Sequence, residues 1–378
     1  MKKFLFSTIV AFSALFAIGQ DNEYYMFVGT YTSPGKSEGI YVYKFNTSTG
    51  ESAPVSSVPI QNPSYLSISP NEKYLFAVQE VDAKVPGGGK VSSFSFNKED
   101  GKLTQINTQS SGGDNPCYVQ VDNTGKWVFV GNYSSGTLSS YAVNNDGSLG
   151  APSTIRHAGT LGPNKQRQEG PHVHCTVVSP DNKWLYVPDL GLDKVMIYKF
   201  DSKTGKLTNN AKSGFAAAAS GTGPRHITFA PNNKYAYVIH ELAGQVAAYQ
   251  YRKGDLKLLQ RISTWDTTKK ATPGSADIHV SPDGKFLYGS NRGNLNDLVW
   301  YNIDPTSGKL TEAGHQSVLG RTPRNFNIDP SGNFLLVANQ GTNEIVVFKR
   351  DKSTGALTDT GKRIAVGQPV CIKWMKIN

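Results

Sequence analysis

Residues 322–340 read TPRNFNIDPSGNFLLVANQ, and the same design returns at 62–80 (NPSYLSISPNEKYLFAVQE) and at 223–241 (GPRHITFAPNNKYAYVIHE). Each copy opens on a short side chain and Pro, alternates through a first run, turns around a second Pro, and ends a second apolar run on polar residues. Pairs such as Phe326/Ile328, Ile227/Phe229 and Leu66/Ile68 recur at every second residue, the period of a β-strand. The copies stand about 50 residues apart, so one supersecondary unit fills each repeat.

Working outward, strand openings fall at Pro63, Pro116, Pro171, Pro224, Ser275, Pro323 and Pro369, and the third copy carries two extra residues, so Val173 is its aligned position. A third strand recurs at 40–45 (IYVYKF), 91–96, 138–143, 195–200, 246–251, 298–303 and 345–349. Most copies follow it with a Gly-bearing turn and a Leu, as in 201–207 (DSKTGKL) and 304–310 (DPTSGKL), which is a hairpin signal. Seven four-stranded antiparallel meanders result, and units of this size stack radially into an all-β, seven-bladed β-propeller. Residues 24–30 (YYMFVGT) look like a second strand without a first, and 368–376 (QPVCIKWMK) like a first without a second. The two are expected to share a blade and close the ring.

Charged residues make up only 18% of the chain, against 38 Gly, 18 Tyr and 17 Phe, so short strands and tight turns are expected and helix is not. Length alone would allow two or three domains, but a repeat array extends one domain past the usual size, so 21–378 reads as a single propeller. Residues 1–20 differ. Lys2 and Lys3 precede an apolar run at 4–18 that is short for a bilayer span, the pattern of a secretory signal cleaved near Gly19 or Gln20. The mature chain is therefore expected to be exported, periplasmic or secreted, with no stable membrane anchor. Taking the two leader lysines from a formal +10 leaves +8, which favours anionic ligands. Lys73, Lys126, Lys183, Lys234 and Lys285 are spread one per turn and form no run, which argues against nucleic acid. Cys117, Cys175 and Cys371 lie in three different repeats without a spacing motif, so buried thiols are expected and a disulfide framework is not.

In an antiparallel meander the start of strand one and the end of strand two share a rim with the links to the next blade. The residues just past the openings are Ser64, Cys117, His174, Arg225, Ala276, Arg324 and Val370; those ending strand two are Tyr31, Glu80, Tyr133, Leu190, Glu241, Arg292 and Gln340. Ionisable side chains at these positions converge on the mouth of the central channel, where small molecules bind in such rings. His174, Arg225, Glu241 and Arg292 come from three consecutive blades. A carboxylate among guanidinium groups and an imidazole suits acid/base chemistry, with Glu241 or His174 activating water and the arginines holding an anion. The same charges also suit a structural ion-pair network between blades.

The longest link, 157–170 (HAGTLGPNKQRQEG), brings Lys165 and Arg167 toward His172 and His174, either as a functional loop or as a cover for its blade's edge. With His172, Arg167 and Lys165, the rim residues Arg324, Glu80 and Tyr31 make up the substrate-binding candidates. His172 and His174 alternate on one strand face, yet no third ligand stands at a metal-binding spacing, so no metal or cofactor is expected. His226 and His279 lie inside strands and read as hydrogen-bonded core. There is no GxSxG elbow, and the glycines at 87–89 lack P-loop spacing.

Across essentially the whole mature chain the sequence resembles the lactonase family of seven-bladed propellers, which holds cycloisomerase-type 6-phosphogluconolactonases and 3-carboxymuconate lactonizing enzyme. The markers are VGTYT (28–32), NKQRQEGPHVH (164–174), VPDLG (187–191), GPRH (223–226), His240–Glu241 and SNR (290–292). The resemblance implies a metal-independent enzyme acting on a lactone or its open acid, with catalytic roles for His174, Arg225, Glu241 and Arg292 and with His172 as the alternative for the first. It implies hydrolysis of a sugar lactone similar to 6-phosphogluconolactone. Lactonization of a muconate-type diacid and noncatalytic binding by an exported propeller are the alternatives. An export signal departs from a cytosolic role, since 6-phosphogluconolactone is made inside the cell.

Overall fold

The computed structural model describes residues 22–82, 84–209, 214–268 and 270–377. The leader read at 1–20 lies outside the described residues. Seven antiparallel sheets follow one another, and no α-helix occurs among the described residues. Blades are numbered here from the first complete repeat: blade 1 spans 66–110, blade 2 116–156, blade 3 177–217, blade 4 224–263, blade 5 275–317 and blade 6 323–365. Blade 7 joins both ends of the chain, with Pro369–Lys376 as its innermost strand paired to Glu23–Thr30. The ring is therefore closed by backbone hydrogen bonds between the two terminal strands.

Second strands are apolar at nearly every position because they are buried on both faces. Phe334–Asn339, Phe286–Asn291 and Tyr235–His240 are buried throughout, whereas the outer strand Leu310–Ser317 is mostly exposed. The core accordingly lies between blades. Phe45 and Met26 of blade 7 pack with Phe334 and Leu336 of blade 6, and Tyr237 and Ile239 of blade 4 pack with Leu287 and Val299 of blade 5. The Gly of each hairpin serves the same packing. A Cβ on Gly308, whose φ is +70°, would stand 2.2 Å from the Tyr235 ring of the preceding blade, and one on Gly205 would stand 2.2 Å from Trp127. Only glycine both adopts that conformation and admits the neighbouring ring.

Two first strands are shorter than the repeat suggests. In blade 1 the strand starts at Leu66, not Pro63, because the Asn62 side chain takes over the ladder's work, accepting from Thr32 N and donating to Glu80 O. In blade 3 it shrinks to Val177–Val178 plus a single bridge from Val173 to Asp189. There the His172 N–H donates to the Asp189 side-chain carboxylate, not to a backbone carbonyl of the neighbouring strand. Blade 3 also has a divided outer edge, Leu207–Asn209 and Phe215–Ala217, both paired to Lys194–Phe200.

Candidate active site

Strand one is irregular where the rim residues sit. Its pairing slips between Pro116 and Tyr118, between Pro224 and His226 and between Pro323 and Asn325, so Cys117, Arg225 and Arg324 are the extra residues of β-bulges. A bulge leaves its extra residue out of the ladder and re-aims the side chain. Glu80, Tyr133, Glu241 and Arg292 stand one residue past the ends of strand two. The two sets meet in a cavity of about 230 Å³ lined by Glu80, Cys117, Tyr133, Arg167, His174, Glu241, Arg292 and Arg324.

Glu241 is the electrostatic centre. Its Oε1 accepts from Arg167 Nη2 at 2.6 Å, its Oε2 accepts from Arg225 Nε at 3.0 Å, and Arg292 Nη2 lies 3.1 Å from Oε2. Burial alone would raise its pKa, but Arg292, Arg225 and Arg167 together outweigh burial and hold the carboxyl well below its ordinary range. Arg225 is fully buried beneath it, with Nη1 donating to Ala276 O at 2.6 Å. Burial, together with Arg225, Arg324 and Arg167, brings the Arg292 guanidinium down to about 10 against the opposing pull of Glu241.

His174 faces the same cavity. Its Nδ1 lies 3.6 Å from Cys117 Sγ, and its Nε2 has no hydrogen-bond partner among the described residues. Burial first, then Arg225, His226 and Arg324, push its pKa well below the usual imidazole value, so the ring is neutral. Burial likewise pushes the Cys117 thiol up, which keeps it protonated. On the far side, Tyr31 OH donates to Glu80 Oε2 at 2.8 Å, Arg324 Nη2 lies 3.7 Å from the same oxygen, and the Arg324 guanidinium sits 5.4 Å over the Tyr31 ring.

The long link is built to deliver Arg167. Asp189 anchors both of its ends, accepting from His157 at 2.7 Å and from the His172 backbone at 2.8 Å. Asn164 caps the turn before Arg167, and the buried Gln168 donates to Leu190 O. Lys165, on the same turn, is exposed and does not line the cavity. His172 lies one layer back. Its ring stacks on Tyr133 at 4.3 Å and 8°, and its Nδ1 donates to Tyr133 O, while the Tyr133 hydroxyl accepts from Arg167 Nη2. Of the two histidines, His174 is the one in the cavity.

The sequence reading assigned no role to Cys117 or Tyr133, although both occupy the rim register that it singled out. It gave no individual role to Asp189, which lies within the VPDLG marker, or to Asp277, since both touch the cavity only through other residues. For Asp277 the register two places past each strand-one opening residue (His226, Asp277, Asn325) was the available signal. Among the described residues no three His, Cys, Asp or Glu side chains are placed to share a metal ion.

A family model for Lactonase, 7-bladed beta-propeller, matches residues 25–374. A protein of Formosa agariphila named 6-phosphogluconolactonase is 39% identical, over 90% of this chain and 96% of its own. A protein of Bacillus subtilis with the same name is 38% identical, over 93% and 99%. The solved structure of a periplasmic gluconolactonase from Pseudomonas aeruginosa is 34% identical with a TM-score of 0.89, covering 94% of this chain and all of the other.

Proposed function

This chain belongs to the lactonase family of seven-bladed β-propellers, and we propose that it hydrolyses an anionic sugar lactone to the open acid in the rim cavity. The observation that carries the reading is the division of labour between Glu241 and His174. Three guanidinium groups already engage the Glu241 carboxylate, while His174 is neutral with Nε2 free. His174 is thus the base. Its Nε2 takes a proton from water as the water oxygen bonds to the lactone carbonyl carbon, and the carbonyl electron pair moves onto oxygen. Arginine N–H groups stabilise that oxyanion. Collapse breaks the bond to the ring oxygen, which takes the proton back from His174, and the resulting carboxylic acid releases its own proton to solvent and leaves as a carboxylate.

Two features support an anionic substrate. Arg167, Arg225, Arg292 and Arg324 outnumber the carboxylates Glu80 and Glu241 at the cavity. Burial is the main cause of the low His174 pKa and Arg225, His226 and Arg324 add to it; an arriving anion offsets only that cationic part, which moves the imidazole toward greater basicity. Glu241 serves to hold the guanidinium groups in place and does not itself accept a proton.

The relatives' names supply two substrates that differ by a phosphate, a gluconolactone and its 6-phosphate. The test is acid release from gluconolactones with and without the 6-phosphate, by the wild-type chain and by His174→Ala. Acceleration above spontaneous ring opening that is lost in His174→Ala is expected. No acceleration with any member of the panel sinks the proposal. The leader pattern at 1–20 supports export of this activity from the cytoplasm, and cell fractionation with sequencing of the processed N-terminus tests it.

A further inference from the structure

The catalytic arginines rest on a second polar layer that no step of the hydrolysis uses. Arg225 is followed by His226, Ala276 by Asp277 and Arg324 by Asn325, and these three followers meet across the channel. Asp277 is their hub. Its Oδ1 accepts from His226 Nδ1 at 2.8 Å and from Ile278 N at 3.0 Å, and its Oδ2 accepts from His279 Nε2 at 2.9 Å and from Asn325 Nδ2. Its own N–H donates to Ser290 Oγ, and Asn325 Oδ1 accepts from Ile372 N in blade 7. The carboxylate thus ties blades 4, 5 and 6, the three blades that supply Arg225, Arg292 and Arg324.

The hydrogen-bond directions are fixed by this arrangement. A carboxylate can only accept, so His226 carries its proton on Nδ1. Its Nε2 is then a lone pair, and Arg225 Nη1 donates to it at 3.2 Å while also donating to Ala276 O. Burial, then Arg225, hold the His226 ring neutral, with its pKa down at about 3 despite the pull of Asp277. With Nη1 held by two acceptors, the guanidinium plane is set and Nε points at Glu241. The tautomer with its proton on Nε2 would turn a hydrogen against Arg225.

We propose that Asp277 is a positioning residue for catalysis: it fixes the His226 tautomer, and through it the orientation of the Arg225 guanidinium against Glu241. Asp277 touches no cavity-lining group itself and lies on the opposite side of His226 from Arg225. Its contribution travels through hydrogen-bond geometry, in the way that the outer partner of a ligating or catalytic histidine sets ring orientation.

The inference rests on the lactonase reading, and the experiment separates the two. In Asp277→Asn, kcat for the preferred lactone is expected to fall roughly 10- to 100-fold, the usual size of such an outer-partner loss, with KM changed less than about threefold. In an Arg225→Lys background the same substitution is expected to add less than about twofold, because its route to the site is already cut. Full kcat in Asp277→Asn, or equal losses in both backgrounds, overturns the inference while leaving the lactonase reading intact. A wild-type chain that opens no lactone ends that reading instead. Should Asp277→Asn fail to fold, His226→Asn leaves the other Asp277 hydrogen bonds in place and carries the same expectations. Long-range proton–nitrogen NMR correlations of the wild-type chain read the tautomer without any turnover. A proton on Nδ1 of His226 is expected, and one on Nε2 overturns the inference.

Discussion

Arg167 and Glu241 lie 74 positions apart in the chain, yet Arg167 Nη2 stands 2.6 Å from Glu241 Oε1, and this contact brings the long link of blade 3 over the strand-two end of blade 4. The Arg167 side chain is 43% exposed whereas that of Glu241 is 5% exposed, so solvent screens one partner and not the other. Arg167 is the arginine most free to exchange its carboxylate for a substrate anion. A charge-assisted contact of this kind, discounted for exposure, contributes about 1 kcal/mol. Arg167→Ala is therefore expected to raise KM for an anionic lactone about fivefold with kcat nearly unchanged. Steady-state kinetics on the preferred lactone decide it, and a kcat loss at constant KM would place Arg167 at the reacting atoms.

Glu241→Gln keeps the shape of the side chain and removes the charge that the buried Arg225 and the mostly buried Arg292 face. Removing one member of a buried ion cluster leaves the others uncompensated, at a cost of about 3–5 kcal/mol. The variant is expected to melt at lower temperature and to lose most of its activity at every pH. A group that served as the titrating base would behave differently, since its removal would also abolish the acid limb of the pH–rate profile. Measuring that profile for wild type and Glu241→Gln separates a proton acceptor from an organiser of arginines.

Stability in mild acid should depend on histidines kept neutral by burial. Burial and Arg225 hold His226 at about 3, burial and Arg261 do the same for His240, and His174 is also well below 6.5. Below pH 6.5 the unfolded chain takes up protons at these sites and the folded chain does not, so stability falls as the pH drops. Each such histidine removes about 1.4 kcal/mol per pH unit once the pH is well below 6.5. Urea unfolding at pH 7.5, 6 and 5 should show this loss before carboxylates begin to titrate. A flat dependence across that window would mean that the three rings are protonated in the folded chain.

The architecture was legible because its signals are local. The alternation at Phe326/Ile328 and the Gly turn at 304–310 are properties of single hairpins, and the packing of Gly308 against Tyr235 needs only that each hairpin meet the blade before it. The rim residues were legible for a related reason. Repetition makes equivalent positions comparable, so Arg225 and Arg324 stand out against Ala276 and Val370. The electrostatics were not. That three arginines would saturate Glu241, or that Tyr133 would lie flat on His172, depends on the angles between blades, which no repeat encodes. The short first strands of blades 1 and 3 escaped because Asn62 and Asp189 replace ladder hydrogen bonds with side-chain ones.

Ring closure gives the strongest prediction for the fold. Pro369–Lys376 pairs with Glu23–Thr30 from Tyr24↔Lys376 through Thr30↔Pro369, and Cys371, Ile372 and Met375 on it are buried. Removing residues 369–378 would unpair one edge of Glu23–Thr30, expose Met26 and Val28, and leave the blade 6 cluster without Ile372. It would also take away Ile372 N, the donor that fixes Asn325 beside Asp277. Burial of one large aliphatic side chain contributes about 1.5–3 kcal/mol, so losing several together exceeds a substantial part of the 5–15 kcal/mol typical of a folded domain. The truncated chain is expected to lose cooperative thermal unfolding and to aggregate. A sharp, wild-type-like transition in calorimetry would show instead that the ring holds with blade 7 reduced to three strands.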